Sequence, residues 1–221
     1  MKLRPPNPPR SPPFPPSALF HDFHETKGAH TGGHLGAYLS DGLHAPLVLQ
    51  LARELRAALP RMLGAHPLRN LWAYKYDPRL AGLLPHIDPA AVNVNLWIAD
   101  VATPHAAAGG GGLVVYDIAA GARASPALAR LAAGWTAGLT PGALADPASP
   151  ERRALAAECP NVTVAHAPNR LMIFDSSLPH MTQDIRDWPL EYEARRVSLT
   201  LLYGESAAGA AGGDLLARAE L

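Results

Sequence analysis

The 221-residue sequence predicts a mainly β fold with flanking helices, built as an antiparallel sandwich or a jelly-roll barrel. Three observations point there. Short apolar segments of period two recur without the regular helix alternation that a parallel sheet requires. One segment with three- and four-residue apolar spacing precedes them and supplies a helix to cover a sheet. The length suits a single domain around a single core.

Composition narrows the class. Hydrophobic residues make up 48% of the chain and charged residues 17%, a globular balance. Lysine plus arginine (19) equals aspartate plus glutamate (19), so no overall field draws the chain to nucleic acid or an anionic membrane. The single cysteine, Cys159, excludes an internal disulfide and a thiolate zinc cluster. No apolar run reaches the length of a membrane span and no signal-peptide core is visible, so the expected location is cytoplasmic.

Taken in order, residues 1–18 are proline-rich and read as an extended tail. His21, His24, His30, His34 and His44 are scattered among small polar residues and read as a loop. Ser40 or Asp41 can cap a helix carrying Leu47, Val48, Leu51, Leu55, Leu59 and Met62, ended by Pro60 and Gly64. Leu71 to Tyr76 is an aromatic strand, and Val92 to Ile98 alternates an apolar face with Asn93, Asn95 and Trp97. The stretch 99–112 ends in four glycines. The strand Leu113 to Tyr116 follows it where a phosphate cradle would need a helix, which excludes nucleotide binding. Residues 118–160 form a helical insertion with Ser-Pro start signals at Ser125 and Ser149. Strands return at Val162 to Ala165, Leu171 to Phe174, around His180, and Val197 to Tyr203. The domain spans 19–204, and an Ala/Gly-rich tail covers 205–221.

His86 and Asp88 share one face at a strand boundary, an imidazole beside a carboxylate. The third ligand of a metal site is best supplied by His180, which follows the apolar strand at Leu171. Two histidines and one carboxylate with open positions suit non-haem Fe(II) and O₂ chemistry. A His-x-Asp pair alone is weak; the distant histidine and the strand opened by Arg195 and Arg196 strengthen it. Alternation puts Arg196, Ser198 and Thr200 on one face, where guanidinium and hydroxyl suit a carboxylate. It puts Arg195 on the other face, paired with Glu191 or Glu193.

The pattern His86-x-Asp88, His180 and Arg196-x-Ser198 resembles the Fe(II)- and 2-oxoglutarate-dependent dioxygenases, in a prolyl-hydroxylase-like, bacterial-type branch. Trp72 to Tyr76, Ala90 to Ile98, Gly112 to Tyr116, Phe174-Asp175-Ser176 and Leu201 to Gly204 carry the same resemblance over about residues 69–204. It implies a double-stranded β-helix of the jelly-roll or cupin-like kind. It also implies iron held by His86, Asp88 and His180, and 2-oxoglutarate held by Arg196 and Ser198. Tyr76 or Tyr74 would touch the co-substrate, with core packing an equal reading for either. Asn93, Asn95 and Trp97 would line the substrate side or face solvent. The reaction implied is an O₂-dependent hydroxylation of a small-molecule or protein substrate, releasing succinate and CO₂, with ascorbate as an in vitro aid. The stretch 99–111 and the helices near 125–157 would border the entrance. A non-catalytic β-helix binding domain and a Zn or Mn cupin-like hydrolase or isomerase are the alternatives.

Overall fold

The computed structural model describes residues 24–25, 34–39, 43–79, 83–98, 110–123, 125–136, 144, 146–185 and 188–206. Strands β1 (His24–Glu25) and β2 (His34–Tyr38) come first, then helices α1 (Pro46–Ala58) and α2 (Pro60–Leu63). Strands β3 (Leu68–Tyr76), β4 (Val92–Trp97) and β5 (Leu113–Tyr116) lead into helices α3 (Ile118–Ala122), α4 (Pro126–Thr136) and α5 (Pro150–Glu158). The chain ends on β6 (Asn161–Val164), β7 (Leu171–Asp175), β8 (His180–Thr182), a 3-10 turn at Tyr192–Ala194 and β9 (Val197–Tyr203). The six-stranded sheet has the order β1-β2-β3-β9-β4-β7 and the three-stranded sheet β6-β5-β8, with every pairing antiparallel. The mainly β, antiparallel, helix-flanked expectation is what forms.

Strand β9 explains the larger sheet. It lies between β3 and β4 and is buried along its whole length. Leu199 and Leu201 join Leu71, Ala73 and Val94 on one face, and α1 and α2 cover them through Val48, Ala52 and Leu63. The Tyr203 hydroxyl fastens the layers by donating to the Ala52 carbonyl at 3.0 Å. The opposite face carries Trp72, Tyr74, Asn95, Ser198 and Thr200, paired in register. Alternation along β9 therefore separates a greasy side from a chemical side.

The smaller sheet is divided in the same way. Leu113, His180 and Thr182 face the chemical side. Val114, Tyr116 and Met181 face the other way, against Leu128, Leu131 and Trp135 of α4 and Leu155 of α5. Ser149 caps α5 as its signal predicts, its side chain accepting from the Arg152 N–H at 3.0 Å. These helices back the sheet on the face turned away from His180 and Thr182, whereas the sequence places them at the entrance.

Other details also differ. The histidine-bearing stretch is partly strand: β1 pairs with β2 and β2 with the edge of β3. Its composition carries almost no alternation; the open edge of β3 supplies the hydrogen bonds that make it extended. Helix α1 starts with Ala45 at the cap position and Pro46 in the first turn, without a side-chain cap. Pro60 opens α2 as well as ending α1, since proline fits a helical first turn. Ser40, Asp41, His21, His30, the 1–18 tail, most of the 99–112 stretch and residues beyond 206 lie outside the described residues. Cys159 is buried, donates to the Asp117 carbonyl and is pushed up to about 11 by burial, so it is a packing residue. Among the described residues no helix is long and apolar enough to cross a membrane.

Candidate metal centre

Backbone hydrogen bonds place the triad. The His86 N–H donates to the His180 carbonyl at 3.0 Å, and the His180 N–H returns to the His86 carbonyl at 2.8 Å. The Asp88 N–H donates to the Ser176 carbonyl at 3.3 Å, and the Ser176 hydroxyl to the Asp88 carbonyl at 3.1 Å. These two reciprocal pairs fix the His86–Asp88 turn against the turn that carries His180. The apolar residue between the two, Ile87, points back into the α4–α5 cluster and anchors the turn from behind.

The donor atoms converge. One ligating atom from each of His86, Asp88 and His180 lies within 4.8 Å of the others. His180 Nε2 is 3.3 Å from Asp88 Oδ2, and His86 Nε2 is 3.8 Å from Asp88 Oδ1. Such separations suit one ion bonded to each at about 2 Å. The tautomers agree. His86 Nδ1 lies 2.7 Å from the Leu84 carbonyl and His180 Nδ1 lies 3.0 Å from the Leu178 carbonyl. A carbonyl only accepts, so both Nδ1 atoms carry a proton, which leaves Nε2 as the atom each ring can offer a metal. Asn93 Nδ2 donates to Asp88 Oδ2 at 2.6 Å and orients the carboxylate.

Protonation favours the same use. Burial, then the neighbouring His180, hold His86 below the ordinary imidazole range, so it is neutral. Burial alone would raise Asp88, but the two imidazoles, His180 first, and the Asn93 amide around it together carry it downward. A neutral imidazole beside an ionised carboxylate is the state a divalent cation selects.

Beyond the triad lies Arg196, 1% exposed. Its Nε donates to the Gly111 carbonyl at 2.5 Å, and its guanidinium carbon sits 4.5 Å above the Tyr76 ring. Among the described residues its buried Nη1 has no hydrogen-bond partner. An unpaired buried guanidinium nitrogen is costly unless an anion meets it. Tyr76 and Tyr74 both line the pocket between Arg196 and the triad, with Asn95, Thr182 and Thr200. Tyr76 lies beneath the guanidinium, its hydroxyl accepting from Thr182 Oγ1 at 3.4 Å. Tyr74 meets the Tyr38 hydroxyl at 3.4 Å, and burial with that contact pushes its phenol upward. The pocket is narrow, with about 20 Å³ of open space.

Several expected residues stand elsewhere. Asn93 and Trp97 are fully buried; Asn93 serves Asp88, and Trp97 lies 5.6 Å behind the Arg196 guanidinium. Of that trio only Asn95 lines the pocket, donating to Thr200 Oγ1 at 3.1 Å. Ser198 is buried between the Tyr74 and Trp97 positions and does not line the pocket; Thr200 does. Arg195 turns away as alternation predicts, but its carboxylate is Asp77, with Nη1 3.6 Å from Oδ2. The end of β3 lies beside the start of β9, which brings Asp77 nearer than the sequence neighbours Glu191 and Glu193 suggest. Sequence reading missed Gly111, which holds Arg196. It also missed His166 and Trp188, buried behind that arginine with ring centroids 4.7 Å apart. None of the three belongs to a periodic pattern.

No protein-family model matches the chain, and no curated protein matches it. Among solved structures it is similar to a prolyl hydroxylase from Trichoplax adhaerens, in complex with a hypoxia inducible factor oxygen degradation domain peptide fragment. That match has 16% identity and a TM-score of 0.52, covering 88% of this chain and 76% of that one. The chain is also similar to a Pseudomonas putida prolyl-4-hydroxylase (15% identity, TM-score 0.48, 84% of this chain and 78% of that one). A third similarity is to SnoN, the non-heme alpha ketoglutarate dependent epimerase of nogalamycin biosynthesis (16%, 0.49, 86% and 70%). The Trichoplax likeness is one of fold.

Proposed function

We propose that the protein is an Fe(II)- and 2-oxoglutarate-dependent oxygenase that oxidises a C–H bond of a small-molecule or protein substrate. The two sheets are then the halves of a jelly-roll, double-stranded β-helix. The observation that carries this is a pair: a His-Asp-His triad sharing one pocket with a buried guanidinium whose Nη1 has no hydrogen-bond partner among the described residues. A hydrolytic Zn or Mn centre accounts for the triad and leaves Arg196 unexplained. A dicarboxylate accounts for both ends. Its far carboxylate meets Arg196 Nη1, while its oxo-acid end reaches toward His86, Asp88 and His180. Tyr76 forms the wall between them. Bound iron would supply O₂ activation and oxidative decarboxylation. The protein's part is to hold the ligands, fix the diacid and keep water out. Admission of the diacid requires the narrow walls to draw apart.

The test is succinate formation from 2-oxoglutarate with Fe(II), O₂ and ascorbate, across a panel of candidate substrates. Alanine at His86, Asp88 or His180 is expected to abolish turnover and weaken Fe(II) binding. Arg196→Ala is expected to raise the 2-oxoglutarate requirement about 100-fold, since loss of a buried charge partner costs on the order of 3 to 5 kcal/mol. Arg195→Ala, which removes a rim pair, is expected to change it less than about fivefold. Equal losses at both arginines, or Fe(II) affinity unchanged in both histidine variants, would sink the reading.

A further inference from the structure

On the far side of the smaller sheet, between it and α5, lies a cavity of about 300 Å³ that the metal chemistry does not use. Val114, Tyr116 and Met181 form its sheet wall, and Leu155 and Ala156 its helix wall. Arg152 enters from the first turn of α5, and its buried Nη1 has no partner among the described residues. The adjacent acid, Glu151, is already taken: it accepts from Arg130 at 2.8 Å, so it does not neutralise Arg152. The Tyr116 hydroxyl has only a thioether, Met181 Sδ at 3.2 Å, a weak acceptor. Burial raises the Tyr116 phenol, and the Arg152 charge acts in the opposite sense, so the two groups sense one another across the cavity. Gln183 and the exposed Asp184 complete the rim.

These groups describe a ligand. Apolar walls ask for a hydrocarbon body, and an unpaired guanidinium nitrogen with a phenol proton asks for one anionic oxygen group. The volume suits a molecule of drug-fragment size. We propose that this cavity is a second binding site, for a small amphipathic carboxylate whose head meets Arg152 and Tyr116 and whose tail lies along Val114, Leu155 and Met181. It is distinct from the 2-oxoglutarate pocket, because β5 and β8 stand between them and present opposite side chains to each. Met181 sits between His180 and Thr182 on β8.

Octanoate is a suitable probe and 1-octanol its uncharged counterpart. With the methionine methyl groups labelled with ¹³C, the Met181 resonance, assigned through Met181→Leu, reports occupancy. Octanoate is expected to shift it saturably and to remain bound in excess 2-oxoglutarate. Octanol is expected to bind at least tenfold more weakly. Arg152→Met, which keeps the length and removes the charge, is expected to weaken octanoate at least tenfold and leave octanol unchanged. Unchanged resonances of the other methionines check that the variant is folded. Ala156→Phe, at an exposed lip of the cavity, is expected to exclude both probes. An unshifted Met181 methyl, octanol binding as tightly as octanoate, indifference to Arg152→Met, or displacement by 2-oxoglutarate each overturns the proposal. The readout needs neither iron nor turnover, so it stands or falls separately from the oxygenase reading.

Discussion

At the scale of single residues, His166 is the sharpest case of chemistry without a visible motif. It is 4% exposed, and neither ring nitrogen has a hydrogen-bond partner. Trp97 packs on it tilted and Trp188 edge-on, at 5.2 and 4.7 Å between centroids. Burial first, then the charges of Arg196 and Arg170, pull its pKa down to about 4. The unfolded chain binds this proton near pH 6.5 and the folded chain only near 4, so folding stability falls as pH drops through that window and levels off below it. The loss assigned to this group is on the order of 2 to 3 kcal/mol. His166→Phe preserves the ring stack and removes the titration. Urea unfolding of parent and variant at pH 7 and pH 4 is expected to show the parent losing more stability by that amount. A constant difference between them across the window would mean that the imidazole already finds a partner in solution. The side chain lies in an Ala-His-Ala-Pro stretch after β6, with no period to mark it, whereas His86, Asp88 and Arg196 each stand at a strand boundary. A strand boundary is visible in sequence; a three-ring contact assembled from three separate segments is not.

At the scale of elements, local pattern was enough where one segment sets its own geometry. Alternation along Val197 to Tyr203 sorted Arg196 and Thr200 from Leu199 and Leu201, and the Ser149-Pro150 signal marked the start of α5. Pattern failed where a neighbour decides. The edge of β3 recruits His34 to Tyr38 into the sheet, and Asn93 turns to Asp88 because the preceding loop folds beneath it. The glycine run is the clearest instance. The sequence places it at the border of the entrance, and its end is fixed structure: Gly111 has φ of 72°, and a Cβ there would come within 2.6 Å of Trp188 Nε1. Its carbonyl is the acceptor that holds Arg196 Nε. Gly111→Ala is expected to cost about 1 to 2 kcal/mol from the left-handed backbone alone. It is also expected to weaken 2-oxoglutarate binding by shifting that carbonyl, with Fe(II) affinity retained. Calorimetric titration of each ligand checks this, and an unaltered diacid affinity would show that Arg196 keeps its place without the glycine.

At the scale of the whole molecule, β9 joins two halves that have no other hydrogen-bonded connection in the larger sheet, β1-β2-β3 on one side and β4-β7 on the other. Leu201, with no exposed surface, sits at the middle of that seam. Leu201→Ala is expected to lower stability by roughly 2 to 5 kcal/mol, whereas Leu47→Ala, 48% exposed, is expected to change it by less than about 0.5 kcal/mol. Denaturant titration of the two variants measures both. The order of strands along the chain then governs how the protein is made. A ribosome releases β3 and β4 long before residues 197–203, so during synthesis these two strands wait with open edges for a partner that has yet to emerge. Arg196 is the residue immediately ahead of that partner. The nascent chain therefore closes its larger sheet and seats Arg196 over the Tyr76 ring in one late event.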